Sequence, residues 1–460
     1  MTQRRVNDLG KDPIGPLLLR LALPAVTAQL VNALYNIVDR MYIGHIPGVG
    51  KLALTGVGVT FAVIMFITAL TSLACVGGGA RAAIHMGEGN PDRAEEILGN
   101  CALLLAILAV VAGGVFWVFR RPMLLTFGAT ENTVGYGSDY LSIYLVGTLF
   151  VMVSVGLNTF ISAQGFSTVS MATVLIGAVI NIALDPIFIF GLNMGVRGAA
   201  LATVLSQMVS ALWVLRFLTG NRTKLRIRKK NLRLRWTVMA PVLAIGISPF
   251  VMQSTESALN IAFNSSLKAY GGDPAVGAMT IASSVMQLLG TLFMGFAQGA
   301  SPIISFNYGA GQSGRVRQTV RLLTTIALTI SITFWLLLEL FPGAFVLIFN
   351  DDPELVEYGT WALRVYGAGV FAMGLQHACQ QSFVALGQAK ISLFMALLRK
   401  FILLIPLIFI LPHFLSDKVF AVFLAEPVSD ILAASTTGTL FFTRLPRILG
   451  DRERQLRQET

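Results

Sequence analysis

The sequence predicts an all-α integral membrane protein with 12 transmembrane helices, arranged as two pseudo-symmetric six-helix lobes around a central cavity. Three observations lead to this fold class: the composition, a series of long apolar runs and an internal repeat. The 460-residue chain is 55% hydrophobic and 12% charged, with a mean hydropathy of +0.72. A soluble domain carries about 25% charged residues, so the composition indicates a chain that lies largely in lipid.

Apolar runs long enough to cross a bilayer, roughly 20 residues each, recur along the whole chain. Because lipid offers no partner for unpaired backbone groups, each run is predicted to be a helix. A membrane barrel would show alternating segments of about 10 residues, and runs such as 102–118 do not alternate. The predicted helices span 15–41, 54–78, 97–119, 137–160, 168–190, 197–218, 237–265, 276–300, 319–341, 358–385, 391–412 and 418–443.

The two halves of the chain share landmarks at a constant spacing in the sequence. Gly87 and Gly89 return as Gly309 and Gly311. An even number of helices in each half gives the repeats the same orientation, which favours an axis along the membrane normal and a substrate path between the lobes. We predict an N-lobe at 1–220 with helices 1–6, a basic cytoplasmic linker at 221–236, a C-lobe at 237–443 with helices 7–12 and a cytoplasmic tail at 444–460.

The net charge of +11 is unevenly distributed along the chain. Lys and Arg are concentrated in the loops of one side, most densely between Arg216 and Arg235. This is the positive-inside pattern, which predicts a multi-pass protein with both termini cytoplasmic and argues against nucleic-acid binding. The three cysteines, at 75, 101 and 379, lie in separate apolar segments without CxxC spacing, so no disulfide framework is predicted.

Acidic and amide side chains inside the first-half helices are the first candidate site. Asp39 lies in helix 1, Asn181 and Asp185 share one face of helix 5, and Thr203 lies near the start of helix 6 at a similar depth. Two carboxylates sharing a partly desolvated site favour binding of a proton near neutral pH, or of Na⁺ through carboxylate and amide oxygens. The alternative is that Asp39 pairs with Arg40 or lies at the water interface.

A polar stripe on helix 1 returns on helix 7, where Gln253 corresponds to Gln29 and Glu256 stands in place of an asparagine. The spacings of three and four put each stripe on one helical face. Two alternatives stay open for the second half: Glu426 and Asp430 neutralise Arg399 and Lys400, or they bind substrate or ion directly. A lone histidine such as His377 is often a helix-packing residue. The candidate substrate or second-lobe cation site comprises Gln29, Asn32, Asn36, Gln253, Glu256, Asn260, Gln287, Gln376, His377 and Asp430.

Several motifs are absent, which narrows the function classes. Without GxxxxGK[ST], ATP is not the predicted energy source. Without HExxH, GxSxG or a Cys/His cluster, we predict no catalytic residue, no metal beyond a Na⁺ at Asp39 and Asp185, and no cofactor. Without a TVGYG-like filter, a channel is not favoured. The remaining prediction is a secondary active transporter rather than an enzyme.

Four stretches resemble the signatures of the multidrug and toxic compound extrusion (MATE) family, and the likeness covers roughly 12–445. Helix 7 and the Gly271-Gly272-Asp273 loop are most similar to the MepA-like bacterial subgroup. The loop after helix 2 lacks the GxxxDRxGRR pattern of the major facilitator class. The four stretches are Pro24–Gly44, Asn181–Pro186, Gly198–Thr203 and Gln298–Ala310.

The resemblance implies efflux of diverse, often cationic, amphipathic drugs, dyes and organic cations, driven by inward H⁺, which we expect ahead of Na⁺. It implies a monomer in the bacterial plasma (inner) membrane that needs no ATP and binds no nucleic acid. The family's proton-coupled prokaryotic members use positions that match Asp39, Asn181, Asp185 and Thr203. Pro24 removes one backbone hydrogen bond and is expected to let helix 1 bend.

Other members of the family pair an acid of helix 7 with an aspartate of helix 10. This chain has Glu256 but no aspartate in helix 10, so Glu256 is expected to attract cationic substrates instead. A lipid-linked precursor flippase of the same superfamily is the alternative transport function, and Arg399, Lys400 and His377 leave it open. A membrane receptor or scaffold is the alternative from another class, although neither requires duplicated halves.

Overall fold

The computed structural model describes residues 7–349 and 352–459, and within these ranges it is almost entirely helical, without strands. Two π-helical segments, Ile187–Gly191 and Leu398–Leu404, and one 3₁₀ turn, Lys229–Asn231, interrupt the α-helices. The helices are α1 (Ile14–Gly44), α2 (Gly50–Gly87), α3 (Pro91–Thr126), α4 (Val134–Val146), α5 (Thr148–Ala163), α6 (Ser167–Pro186), α7 (Val196–Thr219), α8 (Trp236–Gly309), α9 (Ser313–Leu340), α10 (Pro342–Leu347), α11 (Pro353–Gly367), α12 (Val370–Ala385), α13 (Ala389–Leu397), α14 (Ile405–Phe414) and α15 (Lys418–Glu459).

Nine of the helices in the described ranges are long and apolar enough to cross a membrane, or ten if α4 and α5 form one bent span. The 74-residue α8 contains two of the predicted spans, because its backbone leaves the helical region at Gly272 (φ 65°). The adjoining α11 and α12 occupy the place of predicted helix 10. If α4 and α5 count as one span, α8 as two and α11 with α12 as one, the helices account for the 12 predicted spans.

Several predicted boundaries were wrong. The predicted helix 137–160 bends by 60° at Gly147, where the side chain of Val204 lies in the place that a Cβ would occupy. The predicted gap between 265 and 276 is helical apart from Gly272. The charged tail after residue 443 continues α15 as one helix to Glu459. α1 runs through Pro24 as the predicted helix does, and the bend expected at Pro24 stays a prediction.

The repeated glycines end corresponding helices. Gly89 and Gly311 have φ values of 74° and 70°, and Gly165 and Gly387 have 87° and 70°. A residue in this left-handed region after a helix is usually glycine, because a Cβ is strained there. The repeated landmarks of the sequence are therefore helix ends that both lobes form in the same way.

Each lobe has its own apolar core, and the first helix of each lobe begins inside the other. One core extends over residues 43–243 and includes Val238, Met239 and Val242 at the start of α8. The other extends over 259–449 and includes Leu17 and Leu21 at the start of α1. α1 and α8 therefore cross between the lobes. The predicted lobe boundaries at 220 and 237 stay a prediction.

We call the end of the molecule that carries both termini the basic end. There the helices of the two lobes approach to backbone contact. A Cβ on Gly87 would lie 2.0 Å from the backbone oxygen of Phe306, and one on Gly309 would lie 2.0 Å from that of Ile84. Since Ile84 precedes Gly87 by the same step as Phe306 precedes Gly309, the two contacts are pseudo-symmetric. The lobes are thus sealed together at the basic end.

The helical tail lies across this seal. The guanidinium of Arg452 donates to a carboxylate oxygen of Glu88 at 2.5 Å and to the backbone oxygen of Gly309 at 2.9 Å. His85 holds the other carboxylate oxygen of Glu88. Leu456 lies against Gly311. The tail of α15 therefore contacts the matching loops of both lobes at once.

Candidate functional site

The first-lobe site is built where α6 and α7 pack closely. A Cβ on Gly198 would lie 2.7 Å from the backbone of Phe188, and Ala199 and Ala200 are fully buried. These small residues let the π-helical turn after α6 lie directly on the start of α7. Asp185, immediately before that turn, has 0% of its surface exposed and Asn181 has 1%.

One amide links the three polar side chains of α6 and α7. Asn181 Nδ2 donates to Asp185 Oδ1 and to Thr203 Oγ1, both at 3.4 Å. Thr203 Oγ1 donates in turn to the backbone oxygen of Ala199 at 3.0 Å. The predicted grouping of these three residues is thus present in the structure.

Asp39 of α1 completes the cluster. α1 packs against α6, and the charges of Asp39 and Asp185 act on each other and on the Tyr35 side chain. Asp39 Oδ1, Asp185 Oδ2 and Asn181 Oδ1 are buried without a hydrogen-bond partner among the described residues. Three oxygens with free lone pairs therefore lie on two adjoining helices.

Asp39 and Asp185 form no ion pair with a basic side chain in the described part of the chain. The guanidinium of Arg40, the nearest base in sequence, lies over the ring of Phe61, 5.2 Å from its centroid. The Arg40 charge nevertheless acts on the Asp39 carboxylate, so the two alternatives for Asp39, pairing with Arg40 or a place at the water interface, stay predictions. An unpaired buried carboxylate is costly unless a cation or proton joins it.

The glutamines at corresponding places in α1 and α8 both contact the opposite lobe. Gln29 donates to Gln298 at 3.3 Å, and Gln253 donates to Ser72 at 2.8 Å. The residues one and two turns further along the same helical faces are exposed: Asn32, Asn36, Glu256 and Asn260. The two stripes therefore occupy corresponding exposed faces of α1 and α8, and their role in a substrate site stays a prediction.

In the second lobe, the acids and bases of the membrane interior are paired. Arg399 donates to Asp430 at 2.7 Å and to Glu426 at 3.0 Å. Lys400 pairs with Glu256 and donates to the backbone oxygen of Met252 at 3.2 Å. Of the two alternatives, the structure supports charge neutralisation for Asp430. Glu256 is bound to Lys400 yet keeps 61% of its side chain exposed.

The remaining predicted residues are less closely associated. Gln376 is buried and donates to Gln380 at 3.4 Å, while Gln380 anchors α8 and α13 through Ser248. The His377 ring lies 5.1 Å from that of Phe293, which is the packing arrangement left open for it. Gln287 is exposed, and its backbone oxygen accepts from a threonine of the next turn. These residues do not join the acids of the first lobe.

Two aromatic residues of the first-lobe site were missed in the sequence. Tyr35 is one turn before Asp39, so the i, i+4 spacing that found Asn181 would also have found it. Tyr140, on α4, lies beside Thr203 and interacts with the Asp39 carboxylate. Nothing in its local sequence distinguishes it from a packing tyrosine, because its position depends on how α4 packs against α7.

Comparison with known proteins agrees with this architecture. The MatE family model matches residues 24–187 and 249–410. The multidrug export protein MepA of Staphylococcus haemolyticus is 25% identical over 419 residues, covering 90% of this chain and 91% of MepA. MepA of Staphylococcus aureus strain N315 is 25% identical over 440 residues, covering 94% and 95%.

A solved structure of the MATE multidrug transporter DinF-BH, in complex with a small molecule, is 34% identical and superimposes with a TM-score of 0.87, covering 96% of this chain and 98% of that one. The all-helical, two-lobe fold class and the resemblance inferred from the sequence are thereby confirmed. Proteins of this family are multidrug transporters that span the membrane several times, and they are secondary transporters rather than enzymes. The chain belongs to the MatE family of multidrug transporters.

Proposed function

We propose that the protein is a proton-coupled multidrug antiporter that works by alternating access. The observation that carries this proposal is the pair of acids on the adjoining helices α1 and α6, Asp39 and Asp185, each with a buried oxygen that has no hydrogen-bond partner among the described residues. Such a pair is stabilised when it takes up a cation and destabilised when it loses one. Cation binding therefore favours a rearrangement of α1 against α6 and α7.

The driving force is sufficient for uphill export. One proton moving down a gradient of one pH unit supplies about 1.4 kcal/mol, which corresponds to a concentration ratio of roughly 10 for a monovalent cation exchanged one for one. We place the basic end in the cytoplasm, following the positive-inside rule. The sealed basic end then corresponds to a state open to the outside, in which substrate leaves as the cation enters.

H⁺ is proposed ahead of Na⁺ because a proton needs fewer free oxygen atoms in the site than a sodium ion does. The Thr203 hydroxyl already accepts from Asn181 and donates to Ala199. Its remaining capacity for a metal ion is small, whereas a single proton shared by Asp39 and Asp185 needs only their two free oxygens. A sodium ion would require additional oxygen ligands around the pair.

The exposed stripes of α1 and α8 are proposed to receive the substrate. Asn32, Asn36 and Asn260 offer neutral hydrogen-bonding groups, and Glu256 offers a carboxylate that is only partly screened by Lys400. A cationic, amphipathic molecule matches this surface. Ethidium, a flat aromatic cation whose fluorescence reports its location, is a suitable first test compound.

The test is ethidium efflux from proteoliposomes under a pH gradient or a Na⁺ gradient imposed separately. We expect transport with the pH gradient alone, lost in Asp39→Asn and in Asp185→Asn. Asp139→Asn is the matched control, because Asp139 is an exposed carboxylate that pairs with the exposed Arg197 at 3.0 Å, away from the acid pair. Full transport by both site variants would refute the coupling site, and transport that needs Na⁺ would refute proton coupling.

The flippase alternative gains no support from the second lobe. A phosphate-bearing lipid precursor would require free positive charge in the cavity. Arg399 and Lys400 are both paired with carboxylates. We therefore propose drug export alone.

A further inference from the structure

A cavity of about 300 Å³ lies at the basic end, between the start of α3 and the linker that leads into α8. We call it the linker cavity. It lies outside the acid cluster and the polar stripes, so the proposed transport mechanism does not use it. The side chains of opposite charge that line it are the bases Arg93, Lys230, Arg233 and Arg235 and the acids Asp92 and Glu96.

α3 fixes the linker in place, so the linker cavity has a defined shape. Asn100 Oδ1 accepts from the backbone nitrogen of Arg235 at 2.7 Å. A Cβ on Gly99 would lie 2.6 Å from the backbone oxygen of Asn231, which leaves room for glycine alone. Glu95 pairs with Arg228 at 2.6 Å. The linker therefore lies against α3 along several residues.

The charges of the linker cavity are not balanced internally. Glu96 is held between Arg93 at 2.5 Å and Arg235 at 2.8 Å, which occupies both of its oxygens. Lys230 and Arg233 are exposed and form no ion pair among the described residues. The start of α3, whose first turn is capped by Asn90, adds the positive end of a long helix dipole. The cavity thus presents free positive charge, with Asp92 as the acid that opposes it.

Apolar side chains next to the linker cavity distinguish a lipid from a soluble anion. The chain turns at Leu232, where the backbone nitrogen of Arg233 donates to the backbone oxygen of Asn231, and it is extended at Arg235. Arg233 and Arg235 line the cavity, while Leu232, Leu234 and Trp236 between and after them are 39%, 47% and 75% exposed. Tryptophan next to basic residues is typical of the membrane–water interface. Positive charge and exposed apolar surface therefore lie side by side.

We propose that the linker cavity binds the phosphate of an anionic phospholipid from the membrane leaflet at the basic end. The headgroup enters between Lys230, Arg233 and the start of α3, and the acyl chains lie along Leu234 and Trp236. Basic pockets at this depth recognise such headgroups through charge. Because the linker leads directly into α8, the bound lipid contacts both the first lobe and the segment that begins the second lobe.

The test uses the full-length protein in neutral detergent, titrated with phosphatidylglycerol or phosphatidylcholine and followed by native mass spectrometry. The variant is Lys230→Gln with Arg233→Gln. We expect about 30-fold weaker phosphatidylglycerol binding, the equivalent of about 2 kcal/mol for two cations, and unchanged phosphatidylcholine binding. Lys229→Gln with Arg222→Gln is the matched control, because it removes two exposed linker charges outside the cavity.

Lys230 and Arg233 are exposed and form no ion pair in the described part of the chain, so the variant should fold like the control. Equal weakening in the two double variants would overturn the site in favour of diffuse attraction. A soluble-phosphate arm uses glycerol 3-phosphate as competitor. Displacement of phosphatidylglycerol by equimolar glycerol 3-phosphate would overturn the lipid assignment. Leu234→Ser with Trp236→Ser should weaken lipid binding, and unchanged lipid binding there would also overturn it.

Discussion

A single methyl group on Gly87 should open the sealed basic end. The added Cβ would lie 2.0 Å from the backbone oxygen of Phe306, and contacts under 3.0 Å are essentially never observed. Neither atom belongs to a flexible side chain, so the two helices must separate to admit it. Overpacking of this kind costs about 1–3 kcal/mol, which shifts the ratio of conformations by about 5- to 150-fold.

The assay for Gly87→Ala is the distance distribution between spin labels on Glu131→Cys and Glu354→Cys, one in each lobe at the end opposite the termini. The native cysteines are buried, so they do not interfere. We expect the population with separated labels to fall in Gly87→Ala and in its pseudo-symmetric counterpart Gly309→Ala.

The control for this experiment is Gly114→Ala, because a Cβ there meets nothing within 4 Å. Alanine favours a helix over glycine by about 1 kcal/mol in all three variants, so loss of helix does not explain a difference between them. If Gly87→Ala gave the same distance distribution as Gly114→Ala, the glycine contact would not hold the lobes together.

Two further predictions concern charged pairs. Burial alone would raise the pKa of Glu88, but the hydrogen bonds and charges of His85 and Arg452 hold it below its usual 4.5. A double-mutant cycle of Glu88→Gln with Arg452→Gln should therefore give a coupling free energy of about 1 kcal/mol in thermal unfolding. This coupling should be fully present at neutral pH and lost as the pH falls through the lowered pKa of Glu88. A coupling that acid leaves unchanged would contradict this explanation. Asp430→Asn should lower the free energy of unfolding by about 3–5 kcal/mol, because it leaves Arg399 partly unpaired. The control Asp451→Asn, at an exposed residue, should not lower it. Equal melting temperatures of the two variants would refute the stabilising role of the Arg399–Asp430 pair.

The sequence predicted those parts of the structure that follow from helical periodicity. Asn181 and Asp185 share a face because they are four residues apart, and Asp39 reaches them because α1 and α6 run in the same direction. The repeat likewise predicted that Gln29 and Gln253 would occupy corresponding places. These inferences need only the rise and pitch of a helix and the thickness of a bilayer.

The features that were missed depend on contacts between distant segments. At the bend, Val204 of α7 fills the space beside Gly147 and leaves room for glycine alone. The partner of Glu256 is Lys400, far along the chain in another helix, and no local pattern identifies it. The helical tail could not be foreseen either, since its contacts with Glu88 and Gly309 form only once both lobes are folded.

The two lobes differ in how the acids on their membrane-spanning helices are paired, and this difference supports the proposed coupling site in the first lobe. In the second lobe Asp430 and Glu426 share Arg399, and Glu256 has Lys400, so a cation arriving there must displace a tethered base. In the first lobe no base among the described residues forms an ion pair with Asp39 or Asp185, so the proposed cation would displace no tethered base there. Gain or loss of one cation therefore changes the electrostatic energy of the first lobe far more than that of the second. A pseudo-symmetric fold thus becomes functionally asymmetric through the placement of two basic residues.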